Sequence, residues 1–390
     1  MPSSAGLVAQ GHSACELILS PLAGIIRDIG AGAHLGTCLY TEQARNRREG
    51  WNQMKIAVLH GPRDLRIEAR ELDTTLGPHQ VHVKTQISAF KIGTDRGNYE
   101  GAEAVPGAPD YPRPVGDSNL GIVQAVGSAV EDLHPGDRVV SRAWHQSEYV
   151  ADPGLNLVRV PEGVDSEDAV WAHLYALSAQ CYRKAFFTPG ENVAVVGLGV
   201  LGLGAVALGP FFGARVIGLG NHPGRLAMAT QMGADAAFLS DDVDLAQKLD
   251  TFTEGAGVDL VILTANPWPA WRTACQVVRP NGRVSVVALP GRGEQALDFN
   301  PLSMEWFYNK GIALIAVSGQ GGYLFPTPGA DRFDGVRGCA HTLTLMAQGL
   351  EPSKLITHRL CYTEMSRAYE MAFARDKDML GVIFQWPEKS

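Results

Sequence analysis

Three glycines between two apolar runs carry the clearest chemical signal in this sequence. Gly197, Gly199 and Gly202 follow the apolar residues 193–196 and precede an apolar helical pattern and a second strand at 215–219. The first glycine permits a tight turn, the second lets the backbone approach a pyrophosphate, and the third lets helix and strand pack closely. The alternative is a purely structural turn. The pattern predicts a dinucleotide site with backbone contacts from Gly197, Leu198, Gly199, Val200, Leu201 and Gly202.

The end of the second predicted strand indicates which nicotinamide cofactor the site prefers. An acidic residue there would accept hydrogen bonds from the ribose 2′-hydroxyl of NAD and would repel a 2′-phosphate. Gly220 stands at that position instead, followed by Asn221, His222 and, three residues later, Arg225. These side chains offer donors and a permanent positive charge, so the sequence predicts NADP(H). The alternative is that Arg225 faces solvent and that the site accepts either cofactor.

The elements that surround the glycines predict an α/β protein. Residues 54–150 read as short strands between turns, and a helical stretch at 166–184 leads into the first nucleotide strand. Strand and helix patterns then alternate, with a turn predicted at 280–282, and such alternation is typical of a parallel sheet covered on both faces. We therefore expect a Rossmann doubly wound parallel sheet together with a compact β-rich domain.

Composition narrows the classes of partner. The chain of 390 residues carries a formal charge of −8 and no basic run, which argues against nucleic-acid binding through phosphate neutralisation. Its length suggests two or three domains of a soluble globular protein. Six cysteines are scattered without a CxxC pair, so neither a disulfide framework nor a four-cysteine zinc site is indicated. A reducing cytoplasm is the predicted location.

Residues 1–53 differ from the rest and are predicted to form an N-terminal extension. Their apolar segment 17–26 is too short to span a bilayer, and no basic leader precedes it as a secretion signal requires. Residues 22–29 are compatible with one surface amphipathic helix. Met54 opens a more convincing first strand, so a mistaken upstream start is an alternative to a native extension. No association with a membrane is expected.

Several short motifs after Met54 agree with one known family. They are Gly93-Thr94-Asp95, Pro114-Val115-Gly116, His134-Pro135-Gly136-Asp137 and Leu355-Ile356-Thr357-His358, in addition to the glycine turn. With them the chain resembles the medium-chain dehydrogenase/reductase superfamily. The resemblance implies a GroES-like catalytic domain from residues 54–180 and 322–390, a Rossmann domain from 181–321, and a nicotinamide in the cleft. It also implies homodimers, paired through the strand at 312–317.

The departures from the family pattern concern zinc. Zinc-dependent relatives have a cysteine where this chain has Ile92 and a Gly-His-Glu triplet where it has Gly116-Asp117-Ser118, and the lobe for structural zinc is missing. His173 falls near the third ligand position, so a residual site of Asp117, His173 and His145 is an alternative. We expect no metal. The chain is most similar to a zinc-lacking branch that includes bacteriochlorophyllide 3-hydroxyethyl dehydrogenases, which suggests a secondary alcohol or ketone on a bulky substrate.

Hydride transfer without a metal still needs groups that move a proton and stabilise an oxyanion. Thr94 occupies the position of the family's proton-relay hydroxyl, and His173 is the predicted general acid/base because imidazole titrates near neutrality. Asp117 is predicted to orient or charge His173. The alternatives are that Thr94 and Asp95 cap a loop, that Asp117 is a solvated turn residue, and that His173 packs on its helix.

Two other functions stay open at this level. A zinc-free member of the superfamily can reduce a conjugated double bond, as its enoyl and quinone reductases do. A retained nucleotide site can also stabilise a non-catalytic scaffold. Trp144 and Trp171 lie near predicted cleft segments, where they either stack on a flat ligand or serve as ordinary packing aromatics.

Overall fold

The structure is a computed structural model that describes residues 50–102, 110–152, 157–292, 295, 297, 299–318 and 335–386. The helix predicted at 22–29, and nearly all of the predicted extension, lie outside the described residues. The described chain enters its first strand at Trp51, three residues before Met54. That strand pairs along its whole length with the next one, from Trp51 opposite Asp73 to Leu59 opposite Leu65. The predicted boundary at residue 53 therefore falls inside a paired strand.

The first part of the chain is rich in strands, as predicted, and its described residues up to Arg159 contain one helix. The strands are β1 (Trp51–Leu59), β2 (Leu65–Asp73), β3 (Val81–Phe90), β4 (Arg113–Pro114), β5 (Asn119–Val126), β6 (Arg138–Ser141), β7 (Glu148–Ala151) and β8 (Val158–Arg159). Helix α1 (Ile92–Glu100) follows β3 directly. Strand β1 lies between β2 and β4 in a three-stranded sheet.

Two helices, rather than the single one predicted at 166–184, lead into the second sheet. They are α2 (Ser166–Ala169) and α3 (Ala172–Lys184). The Trp171 N–H bonds to the Asp168 carbonyl, three residues back, which interrupts the α-helical ladder between them. The Trp171 side chain is 0 % exposed, so the break places a large aromatic group in the core.

A six-stranded parallel sheet forms the centre of the second part and confirms the Rossmann prediction. Its strands lie in the order β11-β10-β9-β12-β13-β14, and every recorded pairing is parallel. The strands are β9 (Asn192–Val196), β10 (Arg215–Gly220), β11 (Ala236–Leu239), β12 (Val258–Leu263), β13 (Val278–Val286) and β14 (Ala313–Ala316). The helices between them are α4 (Val200–Phe212), α5 (Pro223–Gln231), α6 (Leu245–Thr253) and α7 (Trp268–Val277).

The turn predicted at 280–282 lies within the residue range of β13, and a Cβ on Gly282 would lie 2.9 Å from the Arg279 carbonyl oxygen, so the chain folds back there. Asn281 has a positive φ of 59°, and the register between β12 and β13 shifts next to it. Between the paired residues, β12 advances from Val258 to Leu260 while β13 advances from Val278 to Arg283, so the Pro-Asn-Gly turn is an irregularity inserted within the range of β13.

The end of the described chain returns to the β-rich part. It contains α8 (Gly335–Ala347), β15 (Ile356–Cys361), α9 (Met365–Phe373) and β16 (Gly381–Gln385). Strand β16 lies between β15 and β3 in a seven-stranded sheet, whose order is β15-β16-β3-β5-β6-β8 with β7 also paired to β3. The fold is thus an α/β fold with a parallel Rossmann sheet and a separate β-rich domain. No helix in the described residues is long and apolar enough to cross a membrane.

Candidate active site

The glycine turn between β9 and α4 has the geometry that its spacing predicts. Gly197 has φ +100°, a conformation that side chains rarely adopt. A Cβ on Gly202 would lie 1.8 Å from the Gly197 carbonyl oxygen, whereas a Cβ on Gly199 would meet nothing within 4 Å. Gly199 caps α4 without a side-chain hydrogen bond. The first N–H groups of α4 therefore face a space that no side chain fills. This arrangement fits the pyrophosphate of a dinucleotide.

The residues after β10 are arranged differently from the prediction. Gly220 is buried, and a Cβ there would lie 2.9 Å from a Leu198 methyl group, so the strand end has little room for an acidic side chain. Asn221 is exposed, and His222 has a buried Nδ1 without a partner. Arg225 is neither solvated nor free, because it donates to the Leu198 carbonyl at 3.1 Å and to the Met379 carbonyl at 2.6 Å. Its guanidinium supports the glycine turn through Leu198.

Helix α3 connects the glycine turn to a second group of polar side chains. The Ser178 hydroxyl on α3 donates to the Leu201 carbonyl, in the first turn of α4, at 2.8 Å. A Cβ on Gly204 would lie 2.8 Å from the same hydroxyl, so the two helices are in close contact. His173 lies five residues before Ser178, about 7.5 Å along the helix axis at 1.5 Å per residue. One rigid element therefore holds both His173 and the nucleotide turn.

Three charged side chains lie at the strand ends near His173. Lys91 follows β3, Asp117 precedes β5, and Arg142 follows β6. The Lys91 ammonium lies 2.7 Å from Asp117 Oδ1, and Arg142 Nη2 lies 3.4 Å from Asp117 Oδ2. Burial acts to raise the pKa of Asp117, but Lys91 and Arg142 outweigh it and lower this pKa to about 2. We call Lys91, Asp117 and Arg142 the charged triad.

The surroundings of His173 hold its pKa below neutrality, and its role as a general acid/base stays a prediction. Burial, together with the positive charges of Lys91 and Arg142, lowers its pKa to about 3. A hydrogen bond to the Val140 backbone acts to raise this pKa. A bond that favours the protonated ring is one that the ring donates, so one ring nitrogen donates to the Val140 carbonyl. The Nε2 atom is buried and has no partner. A neutral imidazole has one donor and one acceptor nitrogen, so Nε2 is available as an acceptor.

His145 also lies within the electrostatic influence of Asp117 and Lys91. Its side chain is 0 % exposed, and its Nδ1 lies 2.8 Å from the Ser88 hydroxyl, which also accepts a hydrogen bond from Trp386 Nε1 at 2.9 Å. Burial lowers the pKa of His145 to about 3. A Cβ on Gly116 would lie 2.7 Å from the ring, so the loop before Asp117 packs directly on His145.

The Gly93-Thr94-Asp95 motif forms the first turn of α1. Thr94 is exposed, and its role as a proton relay stays a prediction. Asp95 is buried; it accepts hydrogen bonds from the Lys91 N–H at 2.9 Å and from the Tyr369 hydroxyl at 3.1 Å. Burial, with Asp117 nearby, raises the pKa of Asp95 to about 7. Asp95 therefore fixes the backbone from which the Lys91 side chain extends.

Comparisons with known proteins show what the chain is similar to. A family model described as zinc-binding dehydrogenase matches residues 200–323. The chain is 26 % identical over 341 residues to an L-threonine 3-dehydrogenase of Anaeromyxobacter, covering 80 % of this chain and 93 % of the relative. These likenesses support the medium-chain dehydrogenase/reductase superfamily. The predicted NAD(P)-dependent oxidoreductase is thereby confirmed at the level of the superfamily.

Two further comparisons agree with this assignment. The chain is 29 % identical over 216 residues to an NADP-dependent isopropanol dehydrogenase of Thermoanaerobacter brockii, covering 46 % of this chain and 61 % of that relative. The crystal structure of a 2R,3R-butanediol dehydrogenase of Bacillus subtilis superposes with a TM-score of 0.70 at 21 % identity, covering 86 % of this chain and all of that chain. The second likeness confirms the fold.

The three residues at the superfamily's metal positions do not make a zinc site. Ile92 has no donor atom, and the Asp117 carboxylate is in ion pairs with two cations. Within the ranges that the structure describes, no group of three or more His, Cys, Asp or Glu side chains is placed to hold a metal ion. The family match at 200–323 does not include these positions. The donor chemistry at Ile92, Asp117 and His173 therefore does not fit zinc.

The two tryptophans proposed as stacking groups have different surroundings. Trp171 lies in the main hydrophobic core and is 0 % exposed, so it cannot stack on a substrate. Trp144 is 46 % exposed and immediately precedes His145. Of these two tryptophans, Trp144 is the one whose exposure allows the ligand contact that the sequence suggested for both.

Proposed function

We propose that the chain is a zinc-independent oxidoreductase that transfers a hydride between NADP(H) and a secondary alcohol or ketone. The observation that carries this proposal is the charged triad beside the unpartnered Nε2 of His173, connected through α3 to the glycine turn. The resemblance puts Asp117 at a metal-ligand position of the zinc-dependent members, so in this proposal the fixed charge of the triad takes the place of the metal. The exposed Trp144 agrees with a bulky substrate.

The proposed chemistry divides between the cofactor and the chain. When bound, the nicotinamide supplies or accepts the hydride. The backbone of the glycine turn binds the pyrophosphate, and α3 holds His173 at a fixed distance from it. His173 remains neutral at physiological pH and accepts a hydrogen bond from the substrate hydroxyl at Nε2. Thr94, exposed at the start of α1, is the proposed relay of a proton to solvent.

Activity is expected to survive removal of metal ions. Because the Asp117 carboxylate is held by Lys91 and Arg142, the purified protein should contain no stoichiometric zinc, and chelator should leave turnover unchanged. Elemental analysis and assays before and after dialysis against a chelator test this. One tightly bound zinc per chain, lost together with activity, would assign Asp117 and His173 as ligands instead.

NADPH is expected to bind more tightly than NADH. Gly220 supplies no carboxylate, and the buried Nδ1 of His222 has no partner, so it can donate to a 2′-phosphate oxygen. His222→Ala should weaken NADPH binding several-fold and leave NADH binding unchanged. Arg225→Ala should weaken both, because Arg225 supports the turn at Leu198. Fluorescence titration measures the binding of NADPH and of NADH to the wild-type protein and to each variant. If the wild-type protein binds NADH more tightly than NADPH, the proposed preference for NADP(H) is contradicted.

The reaction itself is tested by a substrate panel. Hydroxylated and carbonyl metabolites are screened by nicotinamide absorbance with both cofactors, and oxidation of a secondary alcohol or reduction of its ketone is the expected result. The second candidate, reduction of a conjugated double bond, would appear as NADPH consumption with enones or quinones only. If the protein binds the cofactor but converts no compound on the panel, the non-catalytic scaffold is the function that remains.

Three finer features are also proposed. The exposed side of β14, at the edge of the Rossmann sheet, is the proposed contact of a homodimer, because an unpaired strand edge is satisfied by pairing. The catalytic domain is proposed to combine residues 54–180 with 322–390, around the Rossmann domain at 181–321. The four described cysteines are free, which agrees with a cytoplasmic location.

A further inference from the structure

Lys91 brings an ammonium group to the site, and no role was predicted for it from the sequence. Its side chain is 13 % exposed, and its Nζ lies 2.7 Å from Asp117 Oδ1. An ammonium has three N–H donors, and this carboxylate oxygen takes one of them. The base of the side chain is fixed, because the Lys91 N–H is bonded to the Asp95 carboxylate. The ammonium is therefore held in place with donors to spare.

The charges around Lys91 do not cancel. The charged triad contains two cations and one carboxylate, so it has one positive charge in excess. Asp95, whose pKa is raised to about 7, is partly ionised at neutral pH and cancels only part of that excess. The two neighbouring imidazoles add none, because the pKa values of His173 and His145 are both lowered to about 3. The charge of Lys91 contributes to lowering both values, so its ammonium acts on both rings. A partly buried positive charge in excess favours an anionic oxygen.

We propose that Lys91 is a catalytic residue whose ammonium binds the substrate oxygen and stabilises the oxyanion that forms there. Asp117 and Arg142 are positioning residues, which hold the ammonium through the shared carboxylate. This inference rests on the proposed function, because it names the group that replaces a Lewis acid in it.

The step balances without any group beyond the substrate, the cofactor and solvent. In the direction of reduction, the carbonyl carbon gains a hydride, and the π electron pair of the C=O bond moves to oxygen. Lys91 N–H donors bind that oxyanion, and the oxygen then takes a proton supplied by solvent. Oxidation of the alcohol runs through the same contacts in reverse.

The first test needs no known substrate. Trifluoroacetate, a small oxyanion, is titrated into the full-length protein with NADP⁺ present, and binding is followed by fluorine NMR. Millimolar binding to the wild-type protein is expected. Lys91→Met should weaken it at least tenfold, whereas Asp117→Asn should strengthen it, since the excess positive charge increases. Lys248→Met is the matched control, because Lys248, on α6, forms an ion pair with Asp242 away from the charged triad, and it should change nothing.

The second test is kinetic and uses a substrate from the panel. Lys91→Met should lower kcat roughly 10²- to 10³-fold, the usual effect of removing one oxyanion donor. KM and NADPH affinity should stay close to the wild-type values, and Lys91→Arg should restore part of the rate. A merely structural lysine would instead change thermal stability and NADPH affinity. Should Lys91→Met not fold, Lys91→Gln is shorter but retains a polar N–H donor, and it should show an intermediate loss.

The outcomes separate the two proposals. If Lys91→Met binds trifluoroacetate as tightly as the wild-type protein, or keeps its kcat, the role of Lys91 is overturned while carbonyl reduction stands. If trifluoroacetate binding depends on Lys91 but no carbonyl or alcohol on the panel reacts, the anion site stands and the proposed function fails.

Discussion

Gly202→Ala is expected to prevent the nucleotide domain from folding correctly. The added Cβ would lie 1.8 Å from the Gly197 carbonyl oxygen and 2.9 Å from the Thr264 hydroxyl. The closer contact is with backbone, which cannot move aside as the end of a flexible side chain can. Either α4 separates from β9 or the Gly197 turn changes shape, and both would remove the pyrophosphate site. We expect a much lower melting temperature and no measurable binding of NADPH.

Gly199→Ala is the matched control for this result. A Cβ at Gly199 meets nothing within 4 Å, so the apo protein should keep its melting temperature. The open space is where the pyrophosphate approaches the backbone, so NADPH affinity should still fall at least tenfold. Thermal unfolding and fluorescence titration of both variants make the comparison. Equal NADPH affinity in Gly199→Ala and the wild-type protein would show that the nucleotide binds elsewhere.

His173→Ala is expected to lower turnover about 10²-fold, the size of effect that misplacement of a substrate by about 1 Å produces. NADPH affinity should be retained. The pKa of His173 is about 3, so the ring is already neutral above roughly pH 4. The shape of the pH–rate profile between pH 5 and pH 9 should therefore be the same in the variant and the wild-type protein. His173→Gln, which keeps an acceptor, should recover part of the rate.

The pH profile distinguishes this role from general acid/base catalysis. If the imidazole were a general acid/base, the pH–rate profile of the wild-type protein would change slope near neutrality, and the profile of His173→Ala would not. Such a difference between the two profiles would support the role first predicted for His173. Unchanged turnover would make His173 structural, and His145 would be the next candidate, although its Nδ1 is already paired with Ser88.

Local patterns in the sequence were sufficient to predict the nucleotide-binding half. The apolar run before Gly197, the spacing of the three glycines and the alternation of strands and helices are all short-range signals, and the parallel sheet agrees with them. Boundaries within regular elements were less accurate. The break before Trp171 was missed because it depends on a tertiary position, in which that side chain fills the core.

The charged triad could not be predicted in the same way. Lys91, Asp117 and Arg142 come from three separate strand ends, and no spacing in the sequence indicates that they meet. Asp117 was selected from the family pattern, but its partner was taken to be His173. Arg225 was likewise assigned to a phosphate from its position, and its bond to the Met379 carbonyl joins segments that lie 154 residues apart. Contacts of this kind depend on the completed fold.

The position of β16 determines when the site can form during synthesis of the chain. This strand lies inside the seven-stranded sheet, bonded to β3 on one side and to β15 on the other, yet roughly 290 residues separate it from β3. At about 5–20 residues per second, the ribosome needs on the order of 15 to 60 s for that interval. The strands of the Rossmann sheet are synthesised first, while residues 87–90 of β3 still lack their partner β16. The bond from Trp386 to Ser88, and with it the support of His145, forms only after the last strand emerges.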